Sequence, residues 1–443
     1  MRLLDAGDQN AWHTFKNSKF RSDPVMELLK WLYPGMHVKR WVLLLLAGIT
    51  ALGLGIAYVL VDLYRQQPLP PAFFYLTLQF VPRVGRAIFF GIVGVSLIVI
   101  SLVGLNRSLL SAYPEIQQQR LVDAVYRRRA RQRGPKIVVI GGGTGLSTLL
   151  RGLKEFTDHL TGIVTVADDG GSSGRLRRDL GVLPPGDFRQ CITALAEAEP
   201  LMSQLMQYRF GNGDLGGHSF GNLFLVAMSE ISGSFEEGLR QSSRVLAVRG
   251  RVVPSTLENV VLCAELANQV VVHGESRVPR GGAAVRRVFL EPADARAYPE
   301  AVSAILHADL IAIGPGSLYT SILPNLLVRE IRAAINAARA PVVYVCNVAT
   351  QPGETDGYDV TDHVEALTQH IDPGLIDVVL ADSGPPPPFP PAWGTTPVWT
   401  HASFVAHTPV VTRNLRSSTR PTRHDPAKLA QAIIELYENG LTD

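Results

Sequence analysis

Glycine-rich loops hold most of the residues able to bind or transform a small molecule. The first, Gly141-Gly142-Gly143-Thr144-Gly145-Leu146-Ser147, directly follows the apolar run KIVVI and opens a helical pattern. Glycines there let the backbone turn sharply and approach a ligand, and the free N–H groups of a helix start favour an anion such as a diphosphate. The loop departs from G-x-G-x-x-G because Leu146 stands where the third glycine belongs, and no Lys-Ser/Thr follows to make it a Walker A loop. Close packing of a strand on a helix is the other explanation for the same glycines.

Asp168-Asp169-Gly170-Gly171-Ser172-Ser173-Gly174-Arg175 closes the next apolar run, GIVTVA. Paired carboxylates at the carboxyl end of a strand can accept hydrogen bonds from ribose or sugar hydroxyls, or hold Mg²⁺ through one or two oxygens. They could instead cap the following helix. In Gly216-Gly217-His218-Ser219-Phe220-Gly221-Asn222, His218 could serve as a general acid or phosphate partner and Asn222 could orient a base, although Ser219 alone reads as a helix cap. Gly314-Pro315-Gly316-Ser317 follows the run ADLIAI and repeats the strand, glycine, helix order, so two such loops could pinch one ligand. Thr350 to Tyr358 follows PVVYVCNV with the same logic. No nucleophile elbow, H-E-x-x-H or Cys-His pairing stands out, so no catalytic residue is assigned. Cys191, Cys263 and Cys346 form no C-x-x-C pair and read as buried thiols in a reducing compartment, with neither a zinc knuckle nor a disulfide framework suggested.

The elements that must position these loops follow from the texture after Lys136. Short apolar runs alternate with helical stretches, which argues for a parallel α/β sheet covered on both faces. Three strand-like runs between Val252 and Pro292 (VVLCAEL, QVVVHGE, RRVFLEP) lie close together and predict a small antiparallel insertion. Gly384 to Pro391 reads as a polyproline linker, and Pro426 to Asn439 as a last helix.

The 443 residues carry a formal net charge of only +3, which conceals an asymmetry. Met1 to Lys136 holds 18 basic and 7 acidic residues, net +11, whereas Ile137 to Asp443 holds 24 and 32, net −8. An acidic large domain is poorly suited to wrapping nucleic acid, which therefore is not expected as a partner. Val42 to Val61 and Ala87 to Leu105 are uncharged and long enough to cross a bilayer core of about 30 Å. Their flanks predict a two-helix transmembrane hairpin over 41–106, with residues 1–40, a basic juxtamembrane linker over 107–135 and the 136–443 domain all cytoplasmic. The chain is thus expected to be a multi-pass protein of the cell membrane. The Arg run from Arg127 to Arg133 suits anionic lipid, at about 1 kcal/mol per basic residue near the surface.

The runs KIVVIGGGTGLSTLLRGLK, TVADDGGSSGRLRRDLGVLPPGDFRQC, GGHSFGNLF, VLAVRGRVVPSTLENV, IGPGSLYTSILPNLL and CNVATQPGETDGY together resemble the YvcK family, the gluconeogenesis factors. That family is similar in fold to the phospholactate transferases of deazaflavin cofactor biosynthesis. The resemblance runs from about Lys136 to Ala381 and implies a Rossmann-like domain that binds a nucleotide sugar of the UDP-N-acetylglucosamine class and supports cell shape and cell-wall homeostasis. It implies that the diphosphate lies on Gly141, Gly142, Gly143, Thr144 and Gly145 and on Gly314, Gly316 and Ser317, with Asp168 and Asn222 near the sugar-nucleotide; from the loop motifs themselves Leu146, Asp169, Gly170, Ser172 and His218 are expected as further ligand contacts. Arg423 of the Arg423-His424-Asp425 run joins them, since that run resembles the family's C-terminal R-H-D. Some members carry a phosphorylatable Thr after it, where this chain has Pro426. The segment from Gly384 to Thr419 fits the family poorly. Two activities remain open: a regulator that binds its nucleotide sugar without consuming it, and a transferase moving a phospho-three-carbon acid from a nucleotide diphosphate donor. No cofactor is called for beyond the Mg²⁺ the carboxylates could hold, and a homo-oligomer is compatible with the sequence.

Overall fold

Strands β1 (Ile137–Gly141) and β2 (Leu160–Val164) are buried at every position, as expected of strands with both sheet faces covered by helices. The same holds for β7 (Leu310–Ile313), β8 (Val342–Val345) and β9 (Val378–Asp382). Together with β3 (Arg251–Pro254), β10 (Phe404–Val405) and β11 (Thr408–Arg413) they make an eight-stranded sheet ordered β10-β11-β9-β8-β7-β1-β2-β3. All its pairings are parallel except β10 with β11. This computed structural model describes residues 80–111 and 128–440 except 198–199, 373 and 385–387, with scattered positions between 49 and 78.

The chain leaves β1 toward β2 and β3 on one side, and β7 continues toward β8 and β9 on the other. The order therefore reverses between β1 and β7, which pair in register from Ile137↔Leu310 to Ile140↔Ile313. A crevice opens at the carboxyl ends of strands where such a reversal occurs, because successive connections diverge to opposite faces. Helix α2 (Gly143–Leu153) leaves β1 at this point, and its Leu146, Leu149, Leu150 and Leu153 are buried against the sheet. Helix α12 (Pro426–Asn439), at the bounds its sequence pattern predicts, lies against α2 so closely that a Cβ on Gly152 would come within 2.8 Å of Ala430 Cβ.

The predicted insertion is a three-stranded antiparallel sheet ordered β5-β4-β6, from β4 (Val261–Leu266), β5 (Val271–His273) and β6 (Val285–Glu291). Val252, grouped with this insertion in the sequence, lies instead in β3 on the edge of the main sheet. The segment after the proline run is more ordered than its composition suggests. It supplies β10 and β11, and Phe389 packs on Trp393 with ring centroids 5.6 Å apart while the Arg416 guanidinium lies over Phe389.

Residues Met1–Ala130 and Arg131–Asp443 form two compact units. In the first, helix α1 (Arg83–Ser111) contains the second apolar run, and its Ile88, Ile92, Val95 and Leu97 are exposed. The transmembrane hairpin expected from the sequence is not found: among the described residues no helix is long and apolar enough to cross a membrane. Most of the first apolar run, 42–61, lies outside the described residues, and within α1 the unbroken run of described side chains extends only from 84 to 98.

Candidate functional site

A cavity of about 670 Å³ occupies the crevice at the β1/β7 reversal. One wall is the loop after β1 with the first turn of α2, through Gly142, Gly143, Thr144 and Gly145. The facing wall is the loop after β7, through Pro315, Gly316 and Ser317. Asn347 to Pro352, Trp393 and Thr395 line the third side, and Thr419 to His424 close the cavity with the exposed side chains of Arg420 and Arg423.

The glycines are required by space and by backbone conformation. Gly143 has φ +60°, in the left-handed region that favours glycine. A Cβ on Gly145 would stand 2.6 Å from the Pro315 carbonyl carbon and 2.8 Å from Gly316 N, so the two loops touch backbone to backbone. The second loop is held from behind: Gly316 N donates to Asn347 Oδ1 (3.2 Å), and Asn347 Nδ2 donates back to Gly316 O (2.8 Å). Gln351 Nε2 donates to Ser317 Oγ (2.6 Å). Asn325 Nδ2 donates to Gly141 O (3.0 Å), tying the end of β1 to the helix after the second loop. With Gly316 N so engaged and Gly143 N donating to Asp187, the anion donors on the first loop are the opening N–H groups of Thr144 and Gly145, which have no intrahelical acceptor. Thr144 adds a hydroxyl, which lies 3.3 Å from Gln190 Oε1.

Behind the first loop the electrostatics turn acidic. A Cβ on Gly142 would lie 2.6 Å from Asp187 Oδ2, so this half-buried carboxylate backs the glycine turn directly. Burial, reinforced by the charge of Asp168, raises Asp187 to about 7. Burial likewise raises Asp168, whose Oδ1 accepts from Gly170 N (2.9 Å). Glu275 rises to about 8 through burial and the nearby Asp168, Glu354 and Asp187. Glu354, which accepts from Thr320 Oγ1 at 3.1 Å, rises to about 7 through burial. Near neutral pH this cluster shares protons among its carboxyls, which lessens its repulsion of an anionic ligand. Asp168 and Asp187 are the carboxylates near the glycine turn that could hold a hard cation such as Mg²⁺.

The predicted residues divide into four sets. Gly142, Gly143, Thr144, Gly145, Gly316, Ser317 and Arg423 line one cavity, and Gly141 and Gly314 form the turns behind them. Asp168, Asp169 and Gly170 sit beside it at the start of α3 (Gly171–Leu180), where Asp169 Oδ1 accepts from Ser276 N (2.9 Å). Leu146 does not face a ligand, because its side chain is fully buried in the core. Ser172, His218 and Asn222 are buried in a network of their own at the start of α6 (Phe220–Ser232). There His218 Nδ1 lies 3.1 Å from Ser172 Oγ, and Asn222 Nδ2 donates to Ser172 Oγ (3.0 Å). Asn222 Oδ1 accepts from Arg189 Nε (2.9 Å). Both ends of the Asn222 amide are thus engaged internally. Burial, with the charge of Arg175, lowers His218, so its imidazole is neutral near pH 7.

Sequence reasoning missed Asp187, Asn347 and Arg420, and singled out Gln351 only as part of the loop from Thr350 to Tyr358. Asp187 had a local signal: it stands in the first turn of α4 (Pro185–Leu195) after Pro184 and Pro185, where acidic residues are favoured. The others depend on chain crossings. The R-H-D run also proves divided. Arg423 faces the cavity, while buried His424 is pushed down to about 4 by burial and donates through Nε2 to Cys346 O (3.2 Å). Asp425 caps α12, accepting from Ala427 N and Lys428 N. Arg416 holds the strap that carries Arg420 and Arg423 through its paired contacts with buried Asp382, Nε and Nη2 donating to Oδ2 at 3.0 and 2.8 Å.

Comparison with known proteins gives concordant results. A family model described as 2-phospho-L-lactate transferase CofD matches residues 137–390. A gluconeogenesis-factor relative from Nostoc sp. is 44% identical over 430 residues, covering 94% of each chain. The "Gluconeogenesis factor" of Bacillus subtilis is 55% identical over 250 residues, covering 56% of this chain and 79% of that one. A crystal structure of a UPF0052-family protein from Bacillus halodurans has a TM-score of 0.64 and 44% identity, over 68% of this chain and 99% of that one.

Proposed function

We propose, because the chain belongs to the CofD-domain family of gluconeogenesis factors, that its large unit binds a nucleotide sugar of the UDP-N-acetylglucosamine class as a regulatory ligand and does not consume it. The observation that carries this reading is the cavity at the β1/β7 reversal. Its 670 Å³ falls within the range of small-molecule sites, and it combines a helix start, two touching glycine loops and two exposed arginines. Helix-start N–H groups and Arg420 or Arg423 suit a diphosphate, since guanidinium groups bind phosphate oxygens in pairs. Trp393 offers a ring face to a base. Bound ligand would report on sugar-nucleotide supply and thereby on cell shape and cell-wall homeostasis.

A second reading, transfer of a phospho-three-carbon acid from a nucleotide diphosphate donor, is favoured by the family match and by Asp187. A carboxyl raised to about 7 beside a phosphate loop has the proton affinity of a general base. One experiment separates the two. The full-length chain is titrated with UDP-N-acetylglucosamine, UMP and N-acetylglucosamine by calorimetry, with and without Mg²⁺, and the ligand is recovered and analysed by chromatography. Binding with intact recovery is the expected result. Metal-dependent turnover would replace the regulatory reading with the transferase, and no heat with any nucleotide would remove both.

We also propose that the first unit attaches the chain to an anionic membrane, with the large unit on the cytoplasmic side. The basic balance of Met1 to Lys136, the two uncharged runs and the exposed apolar side chains of α1 support it. Retention in the membrane fraction through a wash with 1 M salt, roughly the strength that shortens screening to about 3 Å, is the expected result. Complete release would contradict insertion of apolar side chains.

A further inference from the structure

The antiparallel sheet brings together three side chains that neither glycine loop uses. Cys263 on β4 pairs across the ladder with His273 on β5, and Glu291 ends β6 on the other side of β4. Cys263 Sγ lies 3.2 Å from His273 Nδ1, which lies 3.3 Å from a Glu291 carboxylate oxygen. Among the described residues this is the one group of three Cys, His, Asp or Glu residues whose ligand atoms all fall within 4.8 Å of one another.

The register explains the convergence. Along β4, Leu262, Ala264 and Leu266 are buried on the core side, so Cys263 and Glu265 point to the opposite face. Glu265 is occupied there by Arg286 and Arg287 at 2.7 and 2.6 Å. Cys263 has no cation partner of that kind. Phe289, its partner on β6, is half-buried beside it, while the side chains of His273 and Glu291 are 54% and 53% exposed. Cys263 itself is fully buried, so an ion would approach its sulfur past the exposed side chains of His273 and Glu291.

We propose that Cys263, His273 and Glu291 form a binding site for a divalent transition metal of the Zn²⁺ class, with water as the fourth ligand. Thiolate, imidazole and carboxylate together suit Zn²⁺, and bond lengths of about 2.3, 2.0 and 2.1 Å in a tetrahedron place S and N about 3.5 Å apart and N and O about 3.4 Å apart. The observed separations differ from these by about 0.4 Å or less, a shift within side-chain rotation. Metal entry displaces the thiol proton to solvent and forms the S–metal bond in its place. Without a cation, burial and the neighbouring Glu291 push the thiol up to about 12, so the metal supplies the positive charge that the thiolate lacks.

The consequence reaches the ligand site. His273 precedes Gly274 at φ +104°, and two residues on Ser276 N donates to Asp169 Oδ1. A metal joining β4, β5 and β6 would clamp the edge strand β5 and thereby the turn that holds Asp169.

The test uses the full-length chain without a polyhistidine tag, titrated with Co²⁺ and followed by absorbance, then competed with Zn²⁺. One equivalent should bind with a thiolate-to-cobalt charge-transfer band in the near ultraviolet and visible bands of a tetrahedral ion, all erased by Zn²⁺. Cys263→Ser should abolish the charge-transfer band, and the exposed-site variants His273→Ala and Glu291→Gln should each weaken binding about ten-fold or more. Urea midpoints in the absence of metal check that each variant is folded. A chain that binds no Co²⁺, a complex without the thiolate band, or a band that survives Cys263→Ser would overturn the assignment, because Cys191 on α4 and Cys346 after β8 do not belong to this cluster.

Discussion

Gly145→Ala tests the idea that the two glycine loops act as one diphosphate cradle. The added Cβ would stand 2.6 Å from the Pro315 carbonyl carbon and 2.8 Å from Gly316 N, whereas carbon atoms in contact sit about 3.5 to 4 Å apart. Backbone lies on both sides, so no rotamer relieves the overlap, and the loops must separate by about 1 Å. Overpacking of this kind costs about 1–3 kcal/mol of stability. A 1 Å separation also stretches any hydrogen bond from one loop to a ligand seated on the other beyond its useful length. Loss of one or two charge-assisted bonds, at about 1.5–3 kcal/mol each, weakens binding by roughly ten-fold to a thousand-fold or more. Calorimetric titration with UDP-N-acetylglucosamine measures the affinity, and urea unfolding shows how much of the variant is native. Gly211→Ala is the control, because a Cβ there meets nothing within 4 Å. A folded Gly145→Ala protein with a Kd within about three-fold of the parent would refute the cradle, since 1.4 kcal/mol is a factor of ten and the smallest expected loss already exceeds that.

Three further outcomes are expected. Asp187 is raised in the folded state to about 7, so its proton is held where the unfolded chain has lost it; stability is greatest below about pH 4 and declines as pH rises toward 7, with a ceiling on the order of 4 kcal/mol. Asp187→Asn should flatten the decline in melting temperature between pH 5 and 8, and an unchanged slope would show that Asp187 does not titrate there. Asp382→Asn leaves the buried Arg416 guanidinium without its charge partner and should cost about 3–5 kcal/mol in urea unfolding, with weaker ligand binding because Arg420 and Arg423 lie on the same strap; equal loss of stability with full affinity would separate the strap from the ligand. Asn222→Ala strands Arg189 Nε, leaves Ser172 Oγ with His218 alone, and should cost about 1–3 kcal/mol while changing affinity by less than the Gly145 variant, so a larger loss of affinity than of stability would return Asn222 to the ligand.

The sequence was most informative where one local segment contains its own reason. β1, the glycine turn and α2 are continuous in the chain, and an apolar run followed by glycines and a helical pattern needs no distant partner to be recognised. The same is true of α12, whose capping aspartate, following proline and apolar spacing fix both ends. The strands that follow the proline run were not legible, because composition describes how a chain behaves in isolation and not whether another strand waits to pair with it. β11 is a strand because β9 offers its edge, in register from Val410↔Val379 to Arg413↔Asp382. For His218 and Asn222 the residue types suggested chemistry, whereas His218 Nδ1 and both ends of the Asn222 amide are engaged with Ser172 and Arg189.

By itself, then, the sequence determined the alternation of strand and helix, the glycine turns that must lie at strand ends, and the family. It also set the division between a basic first part and an acidic second part. Tertiary structure decided which loops share a cavity, because only the strand order puts the end of β1 next to that of β7, more than 170 residues later. It decided that Asp187 backs the first glycine turn and that Arg416 holds the strap over the cavity. It also decided that Cys263, His273 and Glu291 meet, a convergence that no C-x-x-C spacing announces, since the ligands lie across strands and not along one. The physical reason is common to all three: backbone propensity and patterning act over a few residues, whereas contact between side chains depends on register, and register is set by burying the apolar face of the whole sheet.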